Sequence, residues 1–252
     1  MILDGRHALV TGGSRGIGAA IATALARAGA RVSVLGRDRT ALEAVAAGTA
    51  GMAVTADVTD AAALQAAIAE AETAIAPIDI LVNNAGAAET AKFTAADDAL
   101  WERMIALNLT SVVRATRQVL PGMLERGWGR VISVASTAGL KGYAYVSAYS
   151  AAKHAVVGLT RSLALETARS GVTVNAVCPG YTDTDLVRDS VARLAERTGK
   201  PAEALVAEMV AGNPQRRLIE PDEVARTVVW LADPGAGSMT GQAIAVAGGE
   251  IM

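Results

Sequence analysis

Short apolar runs rich in β-branched residues alternate along the chain with alanine- and leucine-rich segments of helical length. This alternation predicts helices between seven strands, which lie near residues 7–11, 31–35, 52–55, 79–82, 130–135, 173–178 and 243–246. Such strands pair in parallel, because a helix must carry the chain back before each new strand begins. We therefore predict an α/β fold with a seven-stranded parallel sheet, helices on both faces and ligands beyond the carboxyl ends of the strands.

The segment 182–219 departs from this regular alternation. It contains two amphipathic stretches, 185–198 and 202–211, after the sixth predicted strand. A long excursion above the strand ends is typical of a lid over a binding site. Its apolar residues predict either a surface for an apolar substrate or the packing face of the lid itself, and they are Leu186, Val187, Val191, Leu194, Leu205 and Met209. Since the chain contains no linker or repeat, we predict one domain over residues 1–252.

The first predicted strand is followed at once by the sequence Thr11-Gly-Gly-Ser-Arg-Gly-Ile-Gly18, which opens a predicted helix. Its glycines permit a tight turn and a close approach of the backbone to a pyrophosphate, while the first N–H groups of the helix point at the anion. A strand, this glycine pattern and a helix, in that order, are typical of a Rossmann dinucleotide-binding domain. The predicted contacts are Gly12, Ser14, Arg15, Gly16, Ile17 and Gly18.

The composition excludes several classes of protein. Although 52% of the residues are hydrophobic, charged residues or glycines interrupt every apolar run, well before the ~18 residues that a membrane span needs. A net charge of −2 and an aromatic content of 3% provide neither a basic stripe nor stacking platforms for nucleic acid. The residues before the first strand lack the apolar core of a secretory signal, so we expect a cytoplasmic protein.

The few cysteine and histidine residues do not indicate a metal site. Cys178 is the single cysteine and lies in an apolar run that predicts a strand, so we expect a buried structural thiol. His7 and His154 have no cysteine or carboxylate at the spacing of metal ligands. We therefore predict that no metal is bound.

Tyr149 and Lys153 lie four residues apart in a predicted helix and share one of its faces. A cation one turn away favours the phenolate, so this pair is suited to acid–base chemistry. The same spacing is also typical of an ordinary surface contact. Ser136 ends a predicted strand and could hydrogen-bond a substrate oxygen or serve as a turn residue, and Asn108 is an amide within an otherwise apolar helical pattern.

Together these motifs resemble the short-chain dehydrogenase/reductase family over essentially the whole chain. The matching residues are, in order, Thr11 to Gly18, Asn83-Asn-Ala-Gly86, Asn108, Ser136, Tyr149 with Lys153, and Pro179-Gly180 followed by Thr184. The resemblance implies that Tyr149 is the acid or base at the substrate oxygen and that Ser136 orients this oxygen. It also implies that Lys153 holds the nicotinamide ribose and lowers the pKa of Tyr149, while Asn108 anchors a water that relays protons to Lys153.

The resemblance further implies where a dinucleotide lies. Asp57 and Val58 would face the adenine, Asn84 the adjoining ribose region, and Thr182 and Thr184 the nicotinamide amide and phosphates. The other residues implied to bind the cofactor are Ala85, Gly86, Pro179 and Gly180. Family members that use NAD carry an acidic residue at the end of the second strand. This chain has Gly36 and Arg37 there, and Arg37 with Arg15 could bind a 2′-phosphate, or Arg37 could simply face solvent. We predict a preference for NADP(H), with NAD(H) as the alternative.

The expected function is NADPH-dependent reduction of a ketone, a 3-oxoacyl thioester or a bulky cyclic ketone. The alternatives are an NAD-dependent dehydrogenase of a secondary alcohol or 3-hydroxyacyl-CoA, and a dinucleotide-sensing protein without catalysis. The resemblance also implies a homotetramer assembled through the helices around 100–125 and 147–170 and the carboxyl-terminal strand. Apolar faces on these helices would serve the core of a monomer equally well.

Overall fold

A parallel sheet forms the centre of the molecule. The computed structural model describes residues 1–252, apart from the side chain of Leu186. The strands are β1 (His7–Thr11), β2 (Arg31–Gly36), β3 (Met52–Thr55), β4 (Ile80–Asn83), β5 (Gly129–Val134), β6 (Val172–Pro179) and β7 (Ala243–Val246). All neighbours pair in parallel in the order β3-β2-β1-β4-β5-β6-β7. The predicted fold class is confirmed, and the predicted strand bounds differ from these by no more than one residue.

Helices cover both faces of the sheet. They are α1 (Gly16–Arg27), α2 (Arg39–Thr49), α3 (Ala61–Ala74), α4 (Asp98–Ile105), α5 (Ser111–Arg126), α6 (Ser147–Thr167), α7 (Asp185–Thr198), α8 (Ala202–Met209) and α9 (Pro221–Ala232). A π-helical turn, Ala106–Thr110, joins α4 directly to α5. Among the described residues, no helix has the length and apolar character to cross a membrane.

Two large apolar clusters sit on opposite faces of the sheet. In β1, Ala8 and Val10 pack into the cluster formed with α1, α2 and α9, whereas Leu9 packs into the cluster formed with α3, α5 and α6. Successive side chains of a strand point to opposite faces, so a strand that is covered on both faces must be apolar throughout. The continuous apolar runs in the sequence therefore reflect burial on both faces.

The order of the strands reverses between β1 and β4. The helix that follows β1 packs on one face of the sheet, and the chain that follows β4 leads to α5 on the other face. A crevice opens at such a point beyond the carboxyl ends of the two strands. The glycine loop after β1 and the turn at residues 84–86 after β4 border this crevice.

Asp side chains fix the start of two helices that lead away from this rim. The Asp38 carboxylate accepts a hydrogen bond from the Ala41 N–H at 3.1 Å, and the Asp60 carboxylate accepts from the N–H groups of Ala62 and Ala63. Each carboxylate satisfies backbone donors that have no partner within the helix, and each complements the positive helix end. In contrast, no described side chain caps the first turn of α1, which begins at the glycine loop.

His7 is completely buried at the start of β1. Its Nδ1 lies 2.6 Å from the Ala76 carbonyl oxygen and its Nε2 lies 2.9 Å from the Ser33 Oγ. Burial lowers the pKa of the imidazole, and the bond to Ala76 only partly opposes this effect. His7 is therefore a neutral, structural histidine, in agreement with its lack of metal-ligand spacing.

We expect the free energy of unfolding to fall as the pH drops below about 6.5, because the unfolded chain then binds a proton that folded His7 resists. The loss is at most ~1.4 kcal/mol per pH unit and ends below the lowered folded-state pKa. Urea unfolding of the wild type and His7→Gln between pH 5 and 8 measures this slope. His154→Gln, at an exposed histidine, is the control. An equal pH slope in the wild type and His7→Gln would contradict the prediction.

Candidate active site

A cleft of about 1300 Å³ collects nearly all the predicted site residues at the carboxyl ends of the strands. This volume exceeds the ~300–1000 Å³ of a typical small-molecule site, so it leaves room for a substrate beside a dinucleotide. Asn108 is the one predicted residue that does not line it. The residues that do are Gly12, Ser14, Arg15, Gly16, Ile17, Gly18, Arg37, Asp57, Val58, Asn84, Ala85, Gly86, Ser136, Tyr149, Lys153, Pro179, Gly180, Thr182 and Thr184.

The glycine loop is shaped by close contacts that only glycine permits. Gly12 has a φ of 65°, and a Cβ there would lie 2.8 Å from the Ala85 Cα. A Cβ on Gly18 would collide with the Gly12 carbonyl oxygen. The loop is thereby pressed against the turn after β4, and the uncapped N–H groups of α1 are available to an anion. These features fit the pyrophosphate of a dinucleotide.

Thr11 and Asn84 tie the glycine loop to the end of β4. The Thr11 Oγ1 accepts hydrogen bonds from the N–H groups of Asn84 and Ala85, at 3.0 and 3.1 Å. In return, the Asn84 Nδ2 donates to the carbonyl oxygens of Thr11 and Gly12, both at 3.0 Å. Asn84 therefore has a structural role in the loop in addition to its place on the wall of the cleft.

The end of β2 presents a cation and no carboxylate of its own. The Arg37 side chain is 80% exposed, and its guanidinium lies 3.8 Å from the Asp57 carboxylate. Two hydrogen bonds from Thr59 lower the pKa of Asp57, with Arg37 as a smaller cause. At this distance and exposure the ion pair is weak, so Arg37 is free to turn toward a phosphate.

Lys153 is buried one helical turn after Tyr149 in α6. Its Nζ donates to the Val134 carbonyl oxygen at 2.9 Å and lies 5.6 Å from the centroid of the Tyr149 ring. Burial lowers the pKa of this ammonium to about 8. The lysine thus holds a proton at neutral pH but releases it far more readily than an exposed lysine would.

Burial has the opposite effect on Tyr149. It raises the pKa of the phenol, and the hydrogen bond with Ser136 only partly opposes that shift. The expectation that Lys153 lowers this pKa stays a prediction. The Lys153 ammonium donates to the Val134 carbonyl oxygen, and desolvation of the phenolate dominates the pKa of Tyr149. Tyr149 is therefore a protonated hydrogen-bond donor at neutral pH.

Asn108 lies behind the cleft, in the π-helical turn between α4 and α5, and is completely buried. Its Nδ2 donates to the carbonyl oxygens of Ala87 and Met104 at 2.9 and 3.0 Å, and its Oδ1 accepts from the Ala87 N–H at 3.3 Å. A Cβ on the neighbouring Gly86 would lie 2.8 Å from the Asn108 Oδ1 and 3.4 Å from the Lys153 Nζ. Asn108 thus holds the backbone that passes Lys153.

The two amphipathic stretches of the predicted lid are α7 and α8. Val187 and Leu194 line the cleft, whereas Val191 and Leu205 are buried in packing, and a role of these residues toward a substrate stays a prediction. The side chain of Leu186 is the part of the segment that the structure does not describe. Arg188 pairs with Asp183 and Asp185, while Arg197 lines the cleft.

Sequence reasoning missed part of the cleft wall. All four tyrosines of the chain line it, and the sequence motifs mark only Tyr149 for chemistry. The Tyr143 hydroxyl donates a hydrogen bond to the carboxylate of Glu250, which lies 107 residues away along the chain. The position of Tyr143 and Tyr145 between Ser136 and Tyr149 indicates a substrate-facing segment, and the scarcity of aromatic residues could have drawn attention to Tyr181, but no local pattern marks Glu250.

Three features define the class of this protein: the glycine loop, the reversal of strand order and the Tyr149–Lys153 pair. Together they are typical of dinucleotide-binding oxidoreductases of doubly wound α/β fold. More particularly, the sequence profile of the short chain dehydrogenase family matches residues 6–195, and the chain belongs to this family.

Named relatives cover nearly the whole chain. It is 43% identical to an acetoacetyl-CoA reductase of Shinella zoogloeoides, over 97% of this chain and 98% of the relative. It is 42% identical to a D-beta-hydroxybutyrate dehydrogenase of Cupriavidus necator, over 95% of each chain. Among solved structures, a single-residue variant of actinorhodin polyketide ketoreductase with NADPH has a TM-score of 0.92 and 39% identity, with 97% of each chain covered.

Proposed function

We propose that this protein is an NADPH-dependent reductase that converts a ketone into a secondary alcohol. The observation that carries this proposal is the meeting of Ser136, Tyr149 and Lys153 in one cleft beside the glycine loop. The likeness to an acetoacetyl-CoA reductase and to a ketoreductase structure with NADPH supports the same reaction. We further propose that residues 1–252 form one dinucleotide-binding domain with a lid at 182–219, in a cytoplasmic homotetramer.

A nicotinamide dinucleotide held by the glycine loop would supply the hydride for the carbonyl carbon. Tyr149 donates its proton to the ketone oxygen, for which its protonated state at neutral pH is suited. Ser136 hydrogen-bonds the same oxygen and stabilises the negative charge that develops on it. Lys153 would hold the nicotinamide ribose with its buried ammonium, and Asn108, which fixes the backbone at Ala87, would anchor the water that relays protons to Lys153.

A dehydrogenase that oxidises a 3-hydroxyacyl substrate with NAD is the second candidate. It is favoured by the likeness to a D-beta-hydroxybutyrate dehydrogenase. One observation favours the reductase. The end of β2 offers Arg37 and no carboxylate of its own, which suits the 2′-phosphate of NADPH. The ratio of kcat/KM values with the four cofactor forms distinguishes the two candidates.

We expect Tyr149→Phe to lower kcat for ketone reduction by ~100-fold or more, because a general acid contributes ~10²–10⁴-fold to the rate. The dissociation constant of NADPH should change little, since the glycine loop and Lys153 hold the cofactor. Steady-state kinetics and a fluorescence titration of NADPH measure both quantities. Tyr145→Phe removes a hydroxyl at another tyrosine of the cleft and is the matched control. If Tyr149→Phe retained more than a tenth of the wild-type kcat, Tyr149 would not be the general acid.

We expect the wild type to prefer NADPH over NADH, Arg37→Ala to lose most of this preference, and Gly36→Asp to reverse it. The first change deletes the cation for the 2′-phosphate, and the second adds a ribose acceptor that repels the phosphate. A Cβ on Gly36 meets no atom closer than 3.6 Å, so the aspartate is compatible with the fold. Arg39→Ala, next to the site, is the control. Equal kcat/KM with both cofactors in the wild type would exclude this role of Arg37.

We expect 3-oxoacyl thioesters and bicyclic ketones to be reduced with higher kcat/KM than any aldose. Val187 and Leu194 give the lid side of the cleft an apolar surface, and the Tyr143 hydroxyl is already bonded within the protein. Each sugar hydroxyl left without a partner in such a site would cost ~1–3 kcal/mol. A panel of these compounds at fixed NADPH measures the order. An aldose with the highest kcat/KM would overturn the proposed substrate class.

A further inference from the structure

Glu250 lies in the turn that follows β7 and reaches back toward the cleft. Its side chain is 6% exposed. The Glu250 Oε1 accepts a hydrogen bond from the Tyr143 hydroxyl at 2.6 Å and lies 2.9 Å from the Lys141 Nζ. One buried carboxylate thus holds two side chains of the loop that connects Ser136 with Tyr149.

Two glycines leave space for this carboxylate. A Cβ on Gly180, directly after β6, would lie 3.2 Å from the Glu250 Oε2. A Cβ on Gly212, near the end of the lid, would lie 3.4 Å from the Oε1. Glu250 therefore sits where the end of β6, the return of the lid and the loop before α6 come together.

The contacts of Glu250 continue into the site through Tyr143. The Tyr143 hydroxyl also lies 2.7 Å from the Oγ1 of Thr137, the buried residue that follows Ser136. The hydroxyl donates to the carboxylate and accepts from Thr137, so its hydrogen-bonding capacity is satisfied within the protein. Tyr143 lines the same cleft as Ser136, and its hydroxyl is held by Glu250 and Thr137.

Stability alone is a poor explanation for this arrangement. The Glu250 carboxylate is desolvated while its partner Lys141 is 39% exposed, so the cost of burying the charge offsets much of the stability that the ion pair contributes. A carboxylate with two partners instead fixes the positions of the side chains that bind it, because charge-assisted hydrogen bonds are short and directional.

We propose that Glu250 is a positioning residue for the substrate, which acts by fixing the Tyr143 ring and the loop 139–146 against the cleft. This role rests on the proposed ketone reduction. Bulky ketones reach the Tyr143 ring and depend on its position. Small ketones make less contact with this wall, so their binding depends on Glu250 much less.

The test compares the wild type with Glu250→Ala, Glu250→Gln, Tyr143→Phe and the double variant Glu250→Ala/Tyr143→Phe. Glu70→Ala, an exposed glutamate of α3, is the control. Because Glu250→Ala removes one or two hydrogen bonds, we expect it to raise the KM for a bicyclic ketone by ~3- to 10-fold. The kcat, the KM of a small acyclic ketone, the NADPH dissociation constant and the melting temperature should change much less. Glu250→Gln keeps an acceptor for Tyr143 and should restore part of the KM.

Tyr143→Phe should raise the KM for the bicyclic ketone as well. Adding Glu250→Ala to Tyr143→Phe should raise this KM little further, because both changes break the same hydrogen bond between the two residues. Amide hydrogen exchange provides a readout that needs no turnover, and it should accelerate within 139–146 in Glu250→Ala at unchanged melting temperature. Equal KM increases for small and bulky ketones, additive effects of the two changes, or unaltered exchange in 139–146 would overturn the proposal. If the wild type reduces no ketone, the proposed function fails, while the exchange experiment still decides whether Glu250 positions the loop.

Discussion

The junction between the ends of β1 and β4 is the constraint on which the cleft depends. At this point neighbouring strands send their chains to opposite faces of the sheet, so no helix covers the last backbone groups. Thr11 and Asn84 provide partners for these groups and lock the glycine loop against the next strand. The close approach of Gly12 to Ala85 follows from the same lock. A crevice with polar backbone at its base is therefore built into the topology before any reacting side chain is placed.

Burial sets the electrostatics of the reacting groups. Lys153 and Tyr149 are both removed from solvent, and burial favours the neutral form of each, which moves their pKa values in opposite directions. The spacing of four residues shows that the two side chains share a helix face, but it does not show how strongly the ammonium and the phenol are desolvated. This is why the sequence locates the pair but does not reveal how burial shifts the pKa of either group.

The parts of the structure that sequence reasoning captured are local. Continuous apolar runs predict the strands, and adjacent residues predict the glycine loop and α1. The helical period places Tyr149 and Lys153 on one face of a helix. Asn108 is conspicuous as an amide in an apolar pattern, but its partner Ala87 and the π-helical turn around it were not predictable. The bond between Tyr143 and Glu250 joins residues 107 positions apart, so it depends on the whole sheet being assembled.

The π-helical turn at Ala106–Thr110 has a consequence for the rotational phase of the helices on either side of it. A residue advances an α-helix by about 100°, so the wider turn shifts the face that α5 presents relative to α4. Val112, Ala115, Val119 and Met123 thereby reach the core, while Asn108 turns toward Ala87. A chain that regularised this turn at unchanged length would rotate the apolar stripe of α5 away from the core and withdraw the Asn108 amide at the same time. Core packing and the backbone beside Lys153 thus depend on a single helical irregularity.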